Sequence, residues 1–424
     1  MRGRTERGKL LRTLAAAALA FAALGLLAGC FGAVTEEEPE QPATEFGDVE
    51  DPSEQQPSPS ASAPAPAAPA PAPTLDERAA KKTASLTLEQ KVAQLFVVTP
   101  EAITGVGTAT KAGPTTQQAL AAYPVGGLVY FQKNLLSADQ TREMIANSQD
   151  YAQDACGLPL FVGVDEEGGT VSRVGGNPGF AVPNEGNMAD VGATGDPAQA
   201  KAVAQTIGGY LGDLGFNLDF APDADICGDP AADVMALRSF GTDPALVGSM
   251  VTAQVEGFAD AGVLCSAKHF PGIGGVMGDS HEGAIVSGKT LDELRDWELV
   301  PFKAAIDAGV PLVMVGHLTA PNAFGSDVPA SLNPAAVTDL LRGELGFEGL
   351  IITDSLSMGA VGDFCTPDQA GVAALTAGAD LVLMPEDFAA AYQGVLDAVS
   401  AGTLSEERID QSVARIVKAK LALE

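Results

Sequence analysis

The chain has 424 residues, and its 55 acidic and 24 basic side chains give a formal net charge of -31 at neutral pH. Nucleic-acid binding needs clustered lysine and arginine to neutralise phosphates, and no basic patch occurs in the sequence, so the composition excludes a nucleic-acid partner. The acidity indicates solubility or adaptation to salt and names no substrate.

The first 29 residues are predicted to be a signal peptide. Basic residues between Arg2 and Arg12 precede an uncharged apolar run over 13–29, which is short for a membrane-spanning helix and ends in small residues before Cys30. This ending resembles the bacterial lipobox. The resemblance implies cleavage before Cys30, lipid modification of its thiol and anchoring of the mature chain on the outer face of the cell membrane. An uncleaved N-terminal anchor helix is the alternative.

Residues 30–74 are predicted to form a disordered tether, because they are rich in Glu, Asp, Pro, Ser and Ala and cannot bury a core. Four further cysteines are widely scattered, at Cys156, Cys227, Cys265 and Cys365. No Cys-x-x-Cys or His-x-x-His spacing supports a metal site, so the sequence predicts no metal. Buried thiols are favoured, although an exported protein can also form disulfides.

Residues 75–424 are predicted to form one large domain in which short apolar runs alternate with amphipathic helical stretches. Helices are predicted over 197–214 and 290–308, among others, and a helical pattern ends the chain. Eight such units fit a (β/α)8 barrel, with an open doubly wound sheet as the alternative. The eight predicted strands are 94–98, 126–131, 160–164, 217–222, 263–267, 312–315, 350–353 and 380–384.

Polar residues follow most of these runs, at the end where barrel enzymes build their sites. An aspartate after a strand is by itself more often a helix cap or a turn former, so the convergence of several such residues on one rim is what indicates a site. They are Asp165, Asp223, Asp225, Lys268, His269, His317 and Asp354.

A glycine-rich loop over 268–281 holds two of the three histidines and an Asp-x-His pair, Asp279 and His281. A carboxylate beside an imidazole fixes its tautomer and raises its pKa, which suits a group that donates a proton near neutral pH. The sequence therefore predicts a catalytic loop. Glu282, next to His281, is a competing candidate for proton donor.

Four segments resemble successive motifs of family 3 glycoside hydrolases, in particular those of single-domain bacterial β-N-acetylglucosaminidases: 164–169, 268–272, 279–281 and 352–358. The resemblance implies that Asp354 is the nucleophile, His281 a mobile acid/base and Asp279 its partner. It also implies a set of residues that bind the non-reducing sugar. These are Asp165, Arg173, Arg238, Lys268 and His269.

The sequence departs from the family pattern at a few positions. Ile273 and Thr170 stand where a histidine and an arginine are usual, and Glu166 replaces a common glutamine, which predicts extra negative charge beside the sugar site. His317 is predicted to be structural. His269 is open between a ligand contact and a supporting role.

The predicted function is a retaining exo-glycosidase that removes terminal β-linked N-acetylglucosamine from peptidoglycan fragments or chitooligosaccharides. A β-N-acetylglucosaminide phosphorylase, a β-glucosidase and a non-catalytic wall-binding lipoprotein are the alternatives. A carbohydrate substrate, a membrane reached through the lipid anchor, a monomeric state and no cofactor complete the expectations.

Overall fold

The computed structural model describes residues 73–231, 233–276, 278 and 283–423. The predicted signal peptide, Cys30 and most of the predicted tether lie outside the described residues, as do Asp279, His281 and Glu282. The boundaries proposed from the sequence for those N-terminal segments therefore stay predictions.

The described residues contain short strands that alternate with helices. The strands are β1 (Phe96–Val98), β2 (Gly127–Val129), β3 (Phe161–Val164), β4 (Glu166–Gly168), β5 (Val171–Ser172), β6 (Leu218–Asp219), β7 (Leu264–Phe270), β8 (Ile285–Val286), β9 (Leu312–Val315), β10 (Leu318–Thr319), β11 (Leu350–Thr353) and β12 (Val382–Leu383).

Eight of these strands form one parallel sheet in the order β11-β9-β7-β6-β3-β2-β1-β12. A parallel bridge between Ile352 and Leu381 joins the two end strands, and Thr353 N–H donates to the carbonyl of Leu381 at 3.1 Å. The sheet therefore closes on itself, and the prediction of a (β/α)8 barrel is confirmed. Closure also leaves no exposed strand edge in the barrel wall.

Helices surround the barrel and begin and end as follows: α1 (Leu75–Ala84), α2 (Leu88–Gln94), α3 (Pro100–Thr104), α4 (Pro114–Ala122), α5 (Ala138–Cys156), α6 (Met188–Ala193), α7 (Pro197–Leu214), α8 (Pro244–Ala261), α9 (Leu291–Asp296), α10 (Leu299–Asp307), α11 (Pro321–Phe324), α12 (Gly359–Gly362), α13 (Pro367–Ala377), α14 (Phe388–Ser400) and α15 (Glu406–Leu421). A 3₁₀ turn, Ala330–Leu332, and a π-helical segment, Ala335–Glu344, lie between α11 and β11.

Helix α7 shows how local sequence sets an element. The side chain of Asp196 accepts from the N–H of Ala198, and Pro197 occupies the first helical position, where a missing N–H costs nothing. Gly215 ends the helix at φ 96°, a conformation that glycine adopts without a steric penalty. The bounds match the predicted helix over 197–214.

The helix predicted over 290–308 is instead two helices, α9 and α10, separated at Trp297. Pro301 lies in the first turn of α10. A proline ring clashes with the carbonyl four residues earlier and donates no N–H, so a single helix cannot run through this position. The prediction of helix is confirmed on each side of Trp297, but the prediction of one continuous helix is wrong.

Strand β7 runs to Phe270, so Lys268 and His269 lie in the strand and not in the loop that follows it. Two short pairs lie above the barrel rim, β4 with β5 and β8 with β10. The second pair ties the returning end of the glycine-rich loop to the segment after β9.

Within the part of the chain that the structure describes, no helix is long and apolar enough to cross a membrane. The four described cysteines are free thiols. Cys227 and Cys265 are buried, whereas Cys156 and Cys365 are partly exposed. The expectation of unpaired thiols therefore agrees with the structure, although only half of them are fully buried.

Candidate active site

The predicted site residues of the described chain converge at the carboxyl ends of the barrel strands. Asp165 follows β3, Lys268 and His269 lie just before the last residue of β7, and Asp354 follows β11. Arg238 reaches the same rim from the long segment after β6, because its side chain contacts Glu167 of β4. The rim therefore gathers carboxylates, a lysine, an arginine and a histidine.

Glu167 is the centre of an ion network on this rim. The Nζ of Lys268 lies 2.6 Å from Glu167 Oε1 and 3.0 Å from Asp165 Oδ1. Arg238 donates to both oxygens of Glu167, at 2.8 Å from Nε and 2.7 Å from Nη2, and its Nη2 is 3.5 Å from Asp223 Oδ2. Two cations are thus shared among three carboxylates in fixed positions.

The central side chains of this network are almost completely buried. Lys268 is 2% exposed and Glu167 3% exposed. Burial alone would raise the pKa of Glu167, but Lys268 and Arg238 outweigh burial and hold that pKa far below its usual range. Burial likewise opposes the charge of Lys268, yet Glu167 and Asp165 raise its pKa. The groups keep their charges near neutral pH and can donate to or accept from sugar hydroxyls.

A second set of bonds fixes His269. Asp225 Oδ2 accepts from the backbone N–H of His269 at 3.1 Å and lies 2.8 Å from its Nδ1, while Asp225 Oδ1 accepts from the N–H of Ile273 at 2.6 Å. A carboxylate cannot donate, so Nδ1 carries a hydrogen and donates to Asp225. His269 is therefore held in one orientation.

Asp223, Asp225 and His269 are also the one group of potential metal ligands found among the described residues, with ligand atoms within 4.8 Å of one another. Asp225 already accepts three bonds, whereas Asp223 Oδ2 lies 3.5 Å from Arg238 Nη2 and has no hydrogen-bond partner among the described residues. Burial and the neighbouring Asp225 raise the pKa of Asp223 well above its usual range. The prediction of no metal stays a prediction.

Hydrogen bonds to neighbouring backbone groups fix the position of Asp354. Its N–H donates to the carbonyl of Val315 at 2.8 Å, and its Oδ1 accepts from the N–H of Ser355 at 2.7 Å. Burial by itself would raise the pKa of Asp354, but His269, His317 and the Ser355 N–H together lower it. A side chain that stays ionised suits a nucleophile, because only the carboxylate attacks.

His317 supports the segment after β11. Its Nε2 lies 2.9 Å from the carbonyl oxygen of Ser355 and its Nδ1 lies 2.7 Å from Ser331 Oγ. Since a carbonyl only accepts, Nε2 is the donor and the Ser331 hydroxyl can donate to Nδ1. The ring is 1% exposed, which agrees with the predicted structural role.

Glu166 does not add charge beside the sugar-binding network, contrary to the expectation. Its carboxylate is fully buried and accepts from the N–H groups of Arg173, Val174 and Gly175 at 2.6–2.8 Å. Ser172 and Tyr210 donate hydroxyls to the same carboxylate. Successive residues of a strand point to opposite faces, so Glu167 faces the rim and Glu166 faces away from it. Glu166 thereby fixes the backbone that carries Arg173.

Arg173 lines a cleft at the neighbouring part of the rim. Its guanidinium lies 5.9 Å from the ring centroid of Phe131, and the cleft, about 490 Å³, is also lined by Lys133 and Met384. Met384 is the one non-glycine residue with positive φ, 44°, in the described part of the chain. Such backbone conformations concentrate at functional sites. The cleft therefore extends the candidate site toward β1 and β2.

The sequence reasoning missed Glu167 as the central member of the network. The signal was available: two adjacent glutamates directly after a strand must point to opposite faces, so one of them had to reach the rim. Asp279 and His281 lie outside the described residues, and their predicted roles remain predictions.

A closed barrel that gathers charged side chains at the carboxyl ends of its strands has the arrangement in which barrel enzymes build their active sites. The Glycosyl hydrolase family 3 N terminal domain matches residues 87–419 of this chain. Beta-hexosaminidase LpqI of Mycobacterium tuberculosis is 36% identical over 347 residues, which are 80% of this chain and 84% of the relative.

Two further similarities point the same way. Beta-hexosaminidase A of Pseudoalteromonas piscicida is 35% identical over 335 residues, 73% of this chain, but the chain spans only 55% of the length of that relative. The structure of a glycoside hydrolase family 3 beta-N-acetylglucosaminidase from Paenibacillus matches with a TM-score of 0.74 at 38% identity, over 80% of this chain and 63% of that one.

The chain therefore belongs to glycosyl hydrolase family 3. The predicted membership in this family of glycoside hydrolases, among relatives named β-hexosaminidases, is confirmed.

Proposed function

We propose that this protein is a retaining exo-acting β-N-acetylhexosaminidase with Asp354 as its nucleophile. The observation that carries the proposal is the placement of Asp354: a barrel-rim carboxylate whose pKa is lowered, in a chain whose relatives are named β-hexosaminidases. Terminal β-linked N-acetylglucosamine in peptidoglycan fragments or chitooligosaccharides is the proposed substrate.

The proposed reaction has two steps. An oxygen of Asp354 attacks the anomeric carbon while the bond to the leaving oxygen breaks, and His281, paired with Asp279, gives that oxygen a proton. Water then attacks the same carbon, His281 takes a proton from it, and the bond to Asp354 breaks. The configuration at the anomeric carbon is inverted twice and so retained.

The described network supplies binding. Lys268 and Arg238 can donate to sugar hydroxyls, and Asp165, 23% exposed at its side chain, can accept from a vicinal pair. Each of these groups is held by another charged side chain, so the site is ordered before the sugar arrives. Such preorganisation lowers the entropy lost on binding.

Release of p-nitrophenol from the β-N-acetylglucosaminide and the β-glucoside tests the proposal, with and without phosphate. The measurement compares wild type with Asp354→Ala and with Asp307→Ala, an exposed control on α10. We expect activity on the acetamido sugar that only Asp354→Ala abolishes. Faster turnover with phosphate would indicate a phosphorylase. A folded chain inactive on both substrates would contradict the proposal.

Lipid anchoring through Cys30, with the catalytic domain held outside the cytoplasm on residues 30–74, is part of the same proposal. It is supported by the basic and apolar leader followed by small residues and Cys30. Labelled fatty acid should enter the wild-type chain in a bacterial host and should not enter Cys30→Ala. Labelling of the variant would show that Cys30 is not the attachment site.

A further inference from the structure

A cavity of about 270 Å³ lies between the loops that follow β6 and β7 and the break between α9 and α10. Ile226 borders it from the first loop, and Trp297 and Glu298 border it from the break. Asp225, which holds His269, directly precedes Ile226. The charged side chains of the rim network do not line this space in the described part of the chain. It is therefore a second cavity beside the candidate active site.

Trp297 gives the cavity an aromatic border. It is the single tryptophan of the 424-residue chain, and it is 44% exposed. One exposed aromatic side chain is ordinary on a protein surface. Here, however, the indole lies at a concave space that Ile226 and Val276 also line with apolar atoms. Such a lining suits a ligand that has an apolar face.

Glu298 gives the same cavity an open acceptor. Its side chain is 3% exposed, and its Oε1 is paired with Lys289 Nζ, whereas its Oε2 has no hydrogen-bond partner among the described residues. A Cβ added at Gly272 would lie 2.7 Å from the Cβ of Glu298, so the backbone after β7 packs directly against this side chain. A buried carboxylate oxygen without a donor is costly, which favours a ligand that supplies one.

The charge of Glu298 indicates what kind of donor fits. Lys289 already balances that charge, so the open oxygen needs a hydroxyl or an amide N–H and not a second cation. Asp233, another lining residue, accepts from three backbone N–H groups at 2.7–2.8 Å, and Asp229 is exposed to solvent. The two aspartates disfavour an anionic ligand.

The size of the cavity limits the ligand to one small ring. Pockets for drug-sized molecules hold about 300–1,000 Å³, and this one is slightly smaller. A pyranose ring combines an apolar C–H face with hydroxyl donors around its edge. An indole next to a buried acceptor oxygen is complementary to both features.

We propose that this cavity binds one pyranose residue of a glycan. The C–H face of the ring lies on Trp297, and a hydroxyl or the N–H of an acetamido group donates to Glu298 Oε2. The choice of an N-acetylglucosamine glycan rests on the proposed function. The site itself takes no part in cleavage of the glycosidic bond.

Intrinsic fluorescence tests the proposal directly, because it reports on Trp297 alone. The full chain with Asp354→Ala, which we expect to leave the ligand intact, is titrated with N-acetylchitotriose. We expect a saturable change in intensity and a shift to shorter wavelength, since the sugar ring displaces water from the indole. Adding Asp165→Ala, which weakens the rim, should leave the fluorescence dissociation constant within about threefold.

Glu298→Gln in the same Asp354→Ala background tests the acceptor and keeps the tryptophan. Lys289 only donates, so the amide oxygen stays on Lys289 and the amide NH2 takes the place of the open oxygen. The cavity then presents a donor where it presented an acceptor. We expect binding about tenfold weaker, because a hydrogen bond to a charged group is lost.

A gel measurement tests Trp297 without its fluorescence. Soluble glycol chitin in a native gel should slow the Asp354→Ala chain, and adding Trp297→Ala should remove most of that retardation. Tyr151→Ala is the matched aromatic control. Tyr151 is half-buried in the second half of α5, which leads into the start of β3 and so lies at the end of the barrel opposite the rim. This variant should be slowed as much as its parent.

Three results would overturn the proposal: no saturable fluorescence change with the trisaccharide, loss of that change in Asp165→Ala, or a response to ethylammonium but not to the trisaccharide. The first would leave the cavity without a sugar, the second would assign the signal to the rim, and the third would identify a cation site. Inactivity of the wild type on p-nitrophenyl glycosides would overturn the proposed function alone. A saturable fluorescence change in that same preparation would still support the sugar site.

Discussion

Replacing Glu167 by glutamine should weaken the whole rim network. The substitution removes a buried charge that lies 2.6 Å from Lys268 Nζ and is held by two bonds from Arg238. Removal of one partner from a buried ion pair costs about 3–5 kcal/mol. Lys268 keeps Asp165 as a partner, so we expect a loss near the lower end, about 3 kcal/mol of unfolding free energy at neutral pH.

The same substitution should also change how the free energy of unfolding depends on pH. The pKa of Glu167 is lowered on folding, so its stabilisation is fully present above the ordinary carboxyl value of 4.5 and is lost as the pH falls below it. The wild-type free energy of unfolding should therefore fall in acid by up to about 1.4 kcal/mol per pH unit through this group. Glu167→Gln lacks the titrating group and should lose that part of the slope.

Urea unfolding followed by circular dichroism at several pH values between about 7 and 2 measures both effects. Glu256→Gln is a matched control, because Glu256 pairs with Lys201 at the surface with 53% of its side chain exposed. An exposed pair contributes under about 1 kcal/mol. Equal unfolding midpoints and equal acid slopes for wild type and Glu167→Gln would refute the description of this network.

Two further substitutions test other buried groups, and a third tests the geometry of the rim. Lys420 is fully buried, its Nζ donates to Gln94, and burial lowers its pKa to about 7. Between about pH 7 and 10 only the unfolded chain keeps the proton on this lysine, so the free energy of unfolding should rise with pH. Urea unfolding of Lys420→Met should show a flatter rise. Ser331→Ala should remove the partner of His317 Nδ1, cost about 1 kcal/mol of stability and lower kcat, whereas unchanged kinetics would contradict the supporting role of that ring. Arg238→Lys cannot form two parallel bonds to a carboxylate, so KM should rise about tenfold with a smaller change in kcat.

The barrel could be predicted because its strands are short apolar runs buried on both faces, a pattern that helices around a parallel sheet require. The strand ends were less predictable. Apolar character continues over 217–222, yet only Leu218–Asp219 pairs as a strand, whereas β7 extends through the polar Lys268 and His269. Pairing at these places depends on the neighbouring strands and not on local composition.

Site residues that directly follow a strand, such as Asp165 and Asp354, could be predicted from the sequence. Contacts between residues of different loops across the rim could not be predicted. Nothing in the local sequence shows that Arg238 reaches Glu167, 71 residues earlier, or that Asp233 bonds to Gly275, 42 residues later. These pairs arise from the order of strands around the barrel, which brings separate loops to one end.

The central claim is that Asp354 forms a covalent glycosyl ester, and trapping tests it most directly. The protein is incubated with a fluorinated N-acetylglucosaminide that carries an activated leaving group. With this substrate the second step, hydrolysis of the glycosyl ester, is slow, and peptide mass spectrometry then locates the added sugar. We predict a single labelled peptide that contains Asp354, and no label in Asp354→Ala. A sugar attached to another residue, or full turnover of the substrate by Asp354→Ala, would contradict the account.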